Sequence, residues 1–342
     1  MVTTVAYDTN RRSRCQLTTP MLIDTDPGID DALAMLLALS SPEISVEAIT
    51  TVAGNVTVEL GTANVFRILD IIRPARRPRV AQGAVAPLKR PLVTAAHVHG
   101  EDGLGNLHRL LEPDGQPRYP SPTVSLEMLG AADLILETAE RYPGRLVIVA
   151  LGPLTNLALA LERDAARLRL AERIVVMGGA VAVPGNVTPV AEFNLYVDPE
   201  AAAAVFNARL PIELIPLDVT RQVLLTRAAL GEALGRAPGR RARFVEDFSL
   251  FGFDFADAHG EGGIVLHDPL AMAVAVEPGL VELEPFHVDV ECEGALTRGM
   301  TVADRRDIPA HRRKAPNCRA ALRVDVERSL RFFLERLCRT SA

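Results

Sequence analysis

The chain holds no tryptophan, four tyrosines and only two lysines, Lys89 and Lys314, in 342 residues. With no indole and few phenols it lacks the stacking platforms that single-stranded nucleic acid needs. A net charge of −6 gives no basic surface for a polyanion, so no nucleic-acid partner is expected. Four scattered cysteines, Cys15, Cys292, Cys318 and Cys338, include no CxxC pair. That argues against a zinc knuckle or a disulfide framework and fits a reducing, cytoplasmic setting. No apolar run reaches the ~18 residues that span a bilayer, so no membrane partner is expected. Arg11, Arg12 and Arg14 lack the apolar stretch that would make them part of a secretory signal. No GxGxxG follows the first apolar run, so a dinucleotide site is not supported.

What is present is a full core, with 48% hydrophobic and 23% charged residues. Strand-like runs at 21–26, 45–53, 78–83, 145–151, 173–179 and 212–218 alternate with helical patterns near 30–40, 57–72, 127–141, 154–163 and 198–208. Continuous apolar strands joined by helical crossovers predict an α/β fold, an open and mostly parallel sheet with helices on both faces. Residues 283–339 read as further strands and a closing helix. Met1 to about Thr19 is expected to form a loosely ordered extension, and residues 20–342 a single domain. Two long segments, 84–122 and 180–197, are rich in Gly, Pro, His and Asn and read as functional loops, and 245–266 reads as a third loop region.

Ligands of such sheets bind beyond the carboxyl ends of the strands. The informative polar residues stand there: Asp24 and Asp26, Asn55, Leu151-Gly152-Pro153, Gly178-Gly179 and Asp218. Densest is Asp24-Thr25-Asp26-Pro27-Gly28-Ile29-Asp30-Asp31, four carboxylates in eight residues. Unit charges at ~4 Å repel by about 4 kcal/mol at an effective dielectric near 20, so the cluster calls for a cation or a shared proton. Helix capping accounts for Asp30 and Asp31 but leaves Asp24 and Asp26, on one face of the strand, unexplained. Three weaker constellations accompany it: His97 and His99; Asn186, Glu192 and Asn194; and His267-Asp268-Pro269 before an apolar helix. Amides and carboxylates of this kind suit a polyhydroxylated ligand.

Taken in order, DTDPGIDD at 24–31, AITTVAGN at 48–55, HVHGEDGLG at 97–105, LGPLTNLA at 151–158, VVMGGA at 175–180, GNVTPVAEFNLYVDPEAA at 185–202 and HDP at 267–269 resemble the nucleoside hydrolases of the inosine–uridine-preferring type. The resemblance implies a Rossmann-like nucleoside hydrolase fold and one Ca²⁺ held by Asp26, Asp31, the Leu151 carbonyl and Asp268. It implies hydrolysis of the N-glycosidic bond of inosine, uridine or pyrimidine ribonucleosides, with Asp26 as general base on a metal-bound water and His267 activating the leaving base. Asp30, Asn55, Asn186, Glu192 and Asn194 would hold the ribose, His99 would lie on the base side, and Asp24 would anchor the metal loop. Homodimers or homotetramers are expected by the same analogy. The chain departs from the family where some members carry base-side tyrosines: Phe251 and Phe255 stand there, followed by His259. Two rivals remain, a nucleoside- or ribose-binding protein without turnover and a phosphotransferase using Asp24 as nucleophile. The second usually needs a downstream lysine that this chain scarcely provides.

Overall fold

The computed structural model describes residues 18–306 and 309–339. The expected amino-terminal extension therefore lies outside the described residues except at its edge, where Thr19 already opens the first strand.

The described residues begin with β1 (Thr19–Thr25), α1 (Ile29–Leu39), β2 (Ile44–Thr51), α2 (Val58–Ile72) and β3 (Arg79–Gln82), followed by an irregular stretch with the one-turn α3 (Ala96–His99). Next come α4 (Ala131–Arg141), β4 (Val147–Ala150), α5 (Thr155–Leu168), β5 (Arg173–Met177), α6 (Phe193–Val197), α7 (Pro199–Asn207), β6 (Ile212–Ile215) and α8 (Leu217–Thr220). The remainder is β7 (Leu224–Leu225), α9 (Arg227–Arg236), α10 (Arg240–His259), β8 (Ile264–Val265), α11 (His267–Val276), β9 (Val281–Phe286), β10 (Val288–Val290), β11 (Thr301–Ala303), β12 (Cys318–Val324) and α12 (Val326–Leu337).

Eight strands form one sheet in the order β3-β2-β1-β4-β5-β6-β12-β9, parallel throughout except that β9 runs antiparallel to β12. Alternate residues of each inner strand face opposite sides. In β1, Met21 and Ile23 enter a core with α1 and α11, while Leu22 enters the other with α4, α5 and α7. This double burial is why the strands read as unbroken apolar runs. The expected architecture is thus present, with one antiparallel edge.

One expectation fails. Residues 245–266 are not a loop: α10 continues as helix to His259 and ends on Gly260 at φ 71°. Phe244, Val245, Phe248 and Phe253 are buried at helical spacing and hold it against the core.

The chain leaves β1 toward β2 on one side and later returns to β4 on the other. Such a reversal opens a crevice at the carboxyl ends of the two strands. Asp26 follows β1 and Leu151 follows β4, so the topology puts both at that crevice.

Candidate active site

The loop from β1 to α1 builds the carboxylate cluster. Asp24 is fully buried, and its Oδ1 accepts from the Thr50 hydroxyl at 2.6 Å and the Asn156 amide at 2.7 Å. Burial pushes its carboxyl up to about 6 against those two bonds. Its Oδ2 is buried without a partner, and the two bonds to Oδ1 tie the loop to β2 and α5.

Asp26 turns toward the crevice. Its Oδ2 accepts from the Asn55 backbone N–H at 2.7 Å, while its Oδ1 is buried with no partner. Burial, and then the charge of Asp31, raise it well above the ordinary carboxylate range. Asp31 caps α1: its Oδ2 accepts from the Gly28 N–H at 2.9 Å and the Asn55 side chain at 3.1 Å, and its Oδ1 takes the Thr25 hydroxyl. Asp268, in the first turn of α11, comes from the far end of the chain to complete the group. One oxygen each of Asp30, Asp31 and Asp268 lies within 4.8 Å of the others. Burial, reinforced by Asp30, Asp31 and Asp26, pushes Asp268 well up, and burial with Asp31 brings Asp30 to about 7. Asp30 Oδ1, like Asp26 Oδ1, is buried without a partner.

Orphaned, buried, like-charged oxygens are costly unless a ligand meets them. With oxygen donors only, a hard cation is the chemistry they fit. Asp26 borders the three-carboxylate group, and the group itself includes Asp30, which the sequence reading placed on the sugar. The Leu151 carbonyl also sits at the crevice and accepts from the Asn194 amide at 2.6 Å.

The two inward histidines face this group from different elements. His99 Nδ1 accepts the Ile29 backbone N–H at 3.1 Å, which leaves its proton on Nε2, and the same Nδ1 is 3.9 Å from Asp30 Oδ1. Burial pushes it down to about 4. His267 Nδ1 pairs with the Thr220 hydroxyl at 2.8 Å, and burial, with Arg221 and His99 adding, pushes it down to about 3. In both, burial favours the neutral imidazole. His97 is exposed and stands edge-on to Phe255, 6.3 Å between centroids, with His259 stacked on the same ring at 4.1 Å. His259 Nδ1 is engaged with the Phe255 carbonyl at 2.8 Å.

The 180–197 loop supplies the other expected residues, in unequal states. Glu192 is buried and serves as the N-cap of α6: it accepts from Asn194 N at 2.8 Å, Leu195 N at 3.2 Å and Gly179 N at 2.8 Å. Asn194 donates to Leu151 O and, at 3.2 Å, to Met177 O, which ties the loop to the ends of β4 and β5. Asn186 is exposed, its Oδ1 accepting the Phe193 N–H at 3.0 Å.

The sequence pattern of the family described as inosine-uridine preferring nucleoside hydrolase matches residues 21–331. The chain belongs to that family. Among its relatives, the pyrimidine-specific ribonucleoside hydrolase RihA of Escherichia fergusonii is 40% identical over 311 residues, covering 90% of this chain and 94% of the relative. RihA of Salmonella arizonae is 38% identical over 320 residues, covering 93% and 98%. Among solved structures, a purine-preferring ribonucleoside hydrolase from Gardnerella vaginalis superposes with a TM-score of 0.84 at 33% identity, covering 93% of this chain and 98% of that one. A plant nucleoside hydrolase does so with 0.83 at 35% identity, covering 95% and 99%. The fold and the enzyme class read from the motifs both stand.

Sequence reading missed several residues of this nucleoside hydrolase site. Thr220, Arg221, Asn64 and Asn156 are single polar residues, and what each holds depends on topology. Asn64, on α2, donates to Pro27 O at 3.2 Å and Asp102 O at 2.7 Å, so it joins the carboxylate loop to the histidine loop. For Asn156 a signal existed, its place inside LGPLTNLA.

Proposed function

We propose that this nucleoside hydrolase cleaves the N-glycosidic bond of pyrimidine ribonucleosides, uridine and cytidine first, to free base and ribose, with one Ca²⁺ in the carboxylate crevice. The observation that carries the reading is the buried carboxylate group of Asp30, Asp31 and Asp268 beside Asp26, in which Asp26 Oδ1 and Asp30 Oδ1 have no partner. The pyrimidine preference is supported by the RihA relatives and by the absence of any tryptophan to sandwich a purine.

Asp26, Asp31, Asp268 and the Leu151 carbonyl would hold the ion. Six to eight oxygens is the usual shell of Ca²⁺, and when bound it would supply positive charge that lowers the pKa of water and orients it. Asp26 takes the proton of the attacking water, using the oxygen that has no partner within the protein. The sugar develops oxocarbenium character as the bond to the base breaks, and the surrounding carboxylates stabilise that charge. Asp30 and Asn55 accept and donate to the ribose hydroxyls, with Asn186, Glu192 and Asn194 closing the sugar side. His267, oriented by Thr220, and His99, through its Nε2–H, meet the departing base.

The test is ribose release from uridine, cytidine, inosine and adenosine with Ca²⁺, beside an Asp26→Ala control. Release from the pyrimidine nucleosides that vanishes in the variant is expected. No release from any of the four, with Ca²⁺ still bound, would overturn the enzyme reading for these substrates and leave a nucleoside-binding protein. Assembly as a homodimer or homotetramer and a cytoplasmic setting belong to the same reading. The first is supported by family resemblance, the second by the unpaired Cys292, Cys318 and Cys338. Among the described residues no helix is long and apolar enough to cross a membrane.

A further inference from the structure

The one-turn α8 and the residue after it reach both halves of the site. Asp218 accepts from two successive backbone N–H groups at the start of the 180–197 loop, Val181 at 2.8 Å and Ala182 at 2.7 Å. Arg221 spreads its guanidinium over the next carbonyls of the same loop, donating to Pro184 O at 3.0 Å and Gly185 O at 2.7 Å. Four bonds thus fix the five residues just before Asn186. On its other side the same turn holds His267, through the Thr220 hydroxyl at 2.8 Å. The grip continues downstream, where Val223 O accepts the Leu266 N–H at 2.9 Å and β7 pairs with β8. Gln222 closes the turn on itself, its amide donating to Asp218 O at 2.7 Å.

Nothing in α8 is itself among the residues that would touch the sugar or the base. We propose that Arg221 is a positioning residue that fixes the sugar-side loop in register with His267, so that ribose and base are gripped by one rigid unit. This rests on the functional reading above. Arginine suits the place because its planar fork meets two neighbouring carbonyls at once, whereas an ammonium offers a point charge. The chain otherwise has little reason to brace an exposed loop so heavily. If the bonds served stability alone, their loss would lower the melting temperature without favouring either half of the substrate.

The test separates the two halves. Arg221→Gln, Arg221→Lys and Thr220→Val are compared with wild type for kcat and KM on uridine, for D-ribose affinity by calorimetry, and for melting temperature. For Arg221→Gln we expect KM and the ribose dissociation constant to rise together by about tenfold, the worth of one or two hydrogen bonds. Arg221→Lys should recover part of both. Thr220→Val should do the reverse, lowering kcat while leaving ribose affinity within twofold of wild type. The proposal is overturned if ribose affinity in Arg221→Gln stays within twofold of wild type, or if it falls only in step with a collapse in melting temperature that Arg221→Lys shares. Calorimetry reads the loop without turnover. A wild-type protein that binds ribose but releases none from nucleosides would therefore count against the functional reading and not against Arg221.

Discussion

Asp26 occupies a slot between two glycines. A Cβ at Gly54 would stand 2.0 Å from its Oδ2, and one at Gly152 would stand 2.6 Å from its Oδ1. Neither glycine has a positive φ, so what each supplies is room beside the carboxylate. Gly54→Ala should therefore displace the proposed base and lower ribose release by at least the ~10²-fold that a positioned base contributes. Gly231→Ala is the contrasting case: it sits in α9 with nothing within 4 Å, and should gain roughly 0.5–1 kcal/mol in urea denaturation. Asp26→Asn preserves the shape and an acceptor for the Asn55 N–H but removes the proton acceptor. A drop in kcat of about 10²–10⁴-fold, with the melting temperature measured without Ca²⁺ unchanged, is expected, and a drop under tenfold would exclude Asp26 as the base. At this scale the sequence was informative where chemistry is contiguous. Asp24, Asp26, Asp30 and Asp31 announce themselves by density, while Thr220 and Arg221 do not, because the groups they hold are named only once the chain has folded.

Elements were legible where period and burial agree. Five of the helical patterns, such as 57–72 for α2 at Val58–Ile72, lie within a few residues of the helices found. The 212–218 run ends as a strand at Ile215 because Pro216 interrupts it, and α8 takes over at Leu217. α10 was missed because Gly252 and the charges between its phenylalanines break up the apolar stripe. Gly252 is there for close packing, since a Cβ would meet Ile264 Cδ1 at 3.1 Å. The 97–109 segment is irregular but not loose. Asp102 accepts from Leu104 N at 2.9 Å, Asn106 N at 2.8 Å, and His108 N and Nδ1 at 3.0 Å each. Burial opposes its charge, yet these bonds outweigh burial and hold the carboxyl below its ordinary 3.8. A depressed acid stabilises the fold above its unfolded value and loses that contribution as pH falls through the folded one. Asp102→Asn should thus cost about 1–3 kcal/mol at neutral pH by chemical denaturation. The gap from wild type should narrow once pH falls below 3.8; a gap that stays constant with pH would refute the carboxylate's part.

For the molecule as a whole, the carboxylate group joins α1 to α11, elements that already pack on each other through the core. An ion bound there links the two halves, so saturating Ca²⁺ should raise the melting temperature and a chelator should lower it. About 2.7 kcal/mol is expected at a hundredfold excess over the dissociation constant. Asp268→Asn should abolish the shift in differential scanning fluorimetry, and a wild-type protein indifferent to Ca²⁺ would remove the metal from the proposal. The order of the strands carries one more consequence, for synthesis. Among the described residues β12 is the last strand in chain order, yet it lies inside the sheet between β6 and β9. While the chain is still on the ribosome β6 remains a bare edge, and Asp30 and Asp31 wait without Asp268 until α11 has emerged. A nascent chain in that state offers its unpaired backbone to any neighbour. Messages truncated ahead of Cys318 should accordingly yield pelleted protein rather than a weakened enzyme, so that translation through β12 is itself a condition of activity.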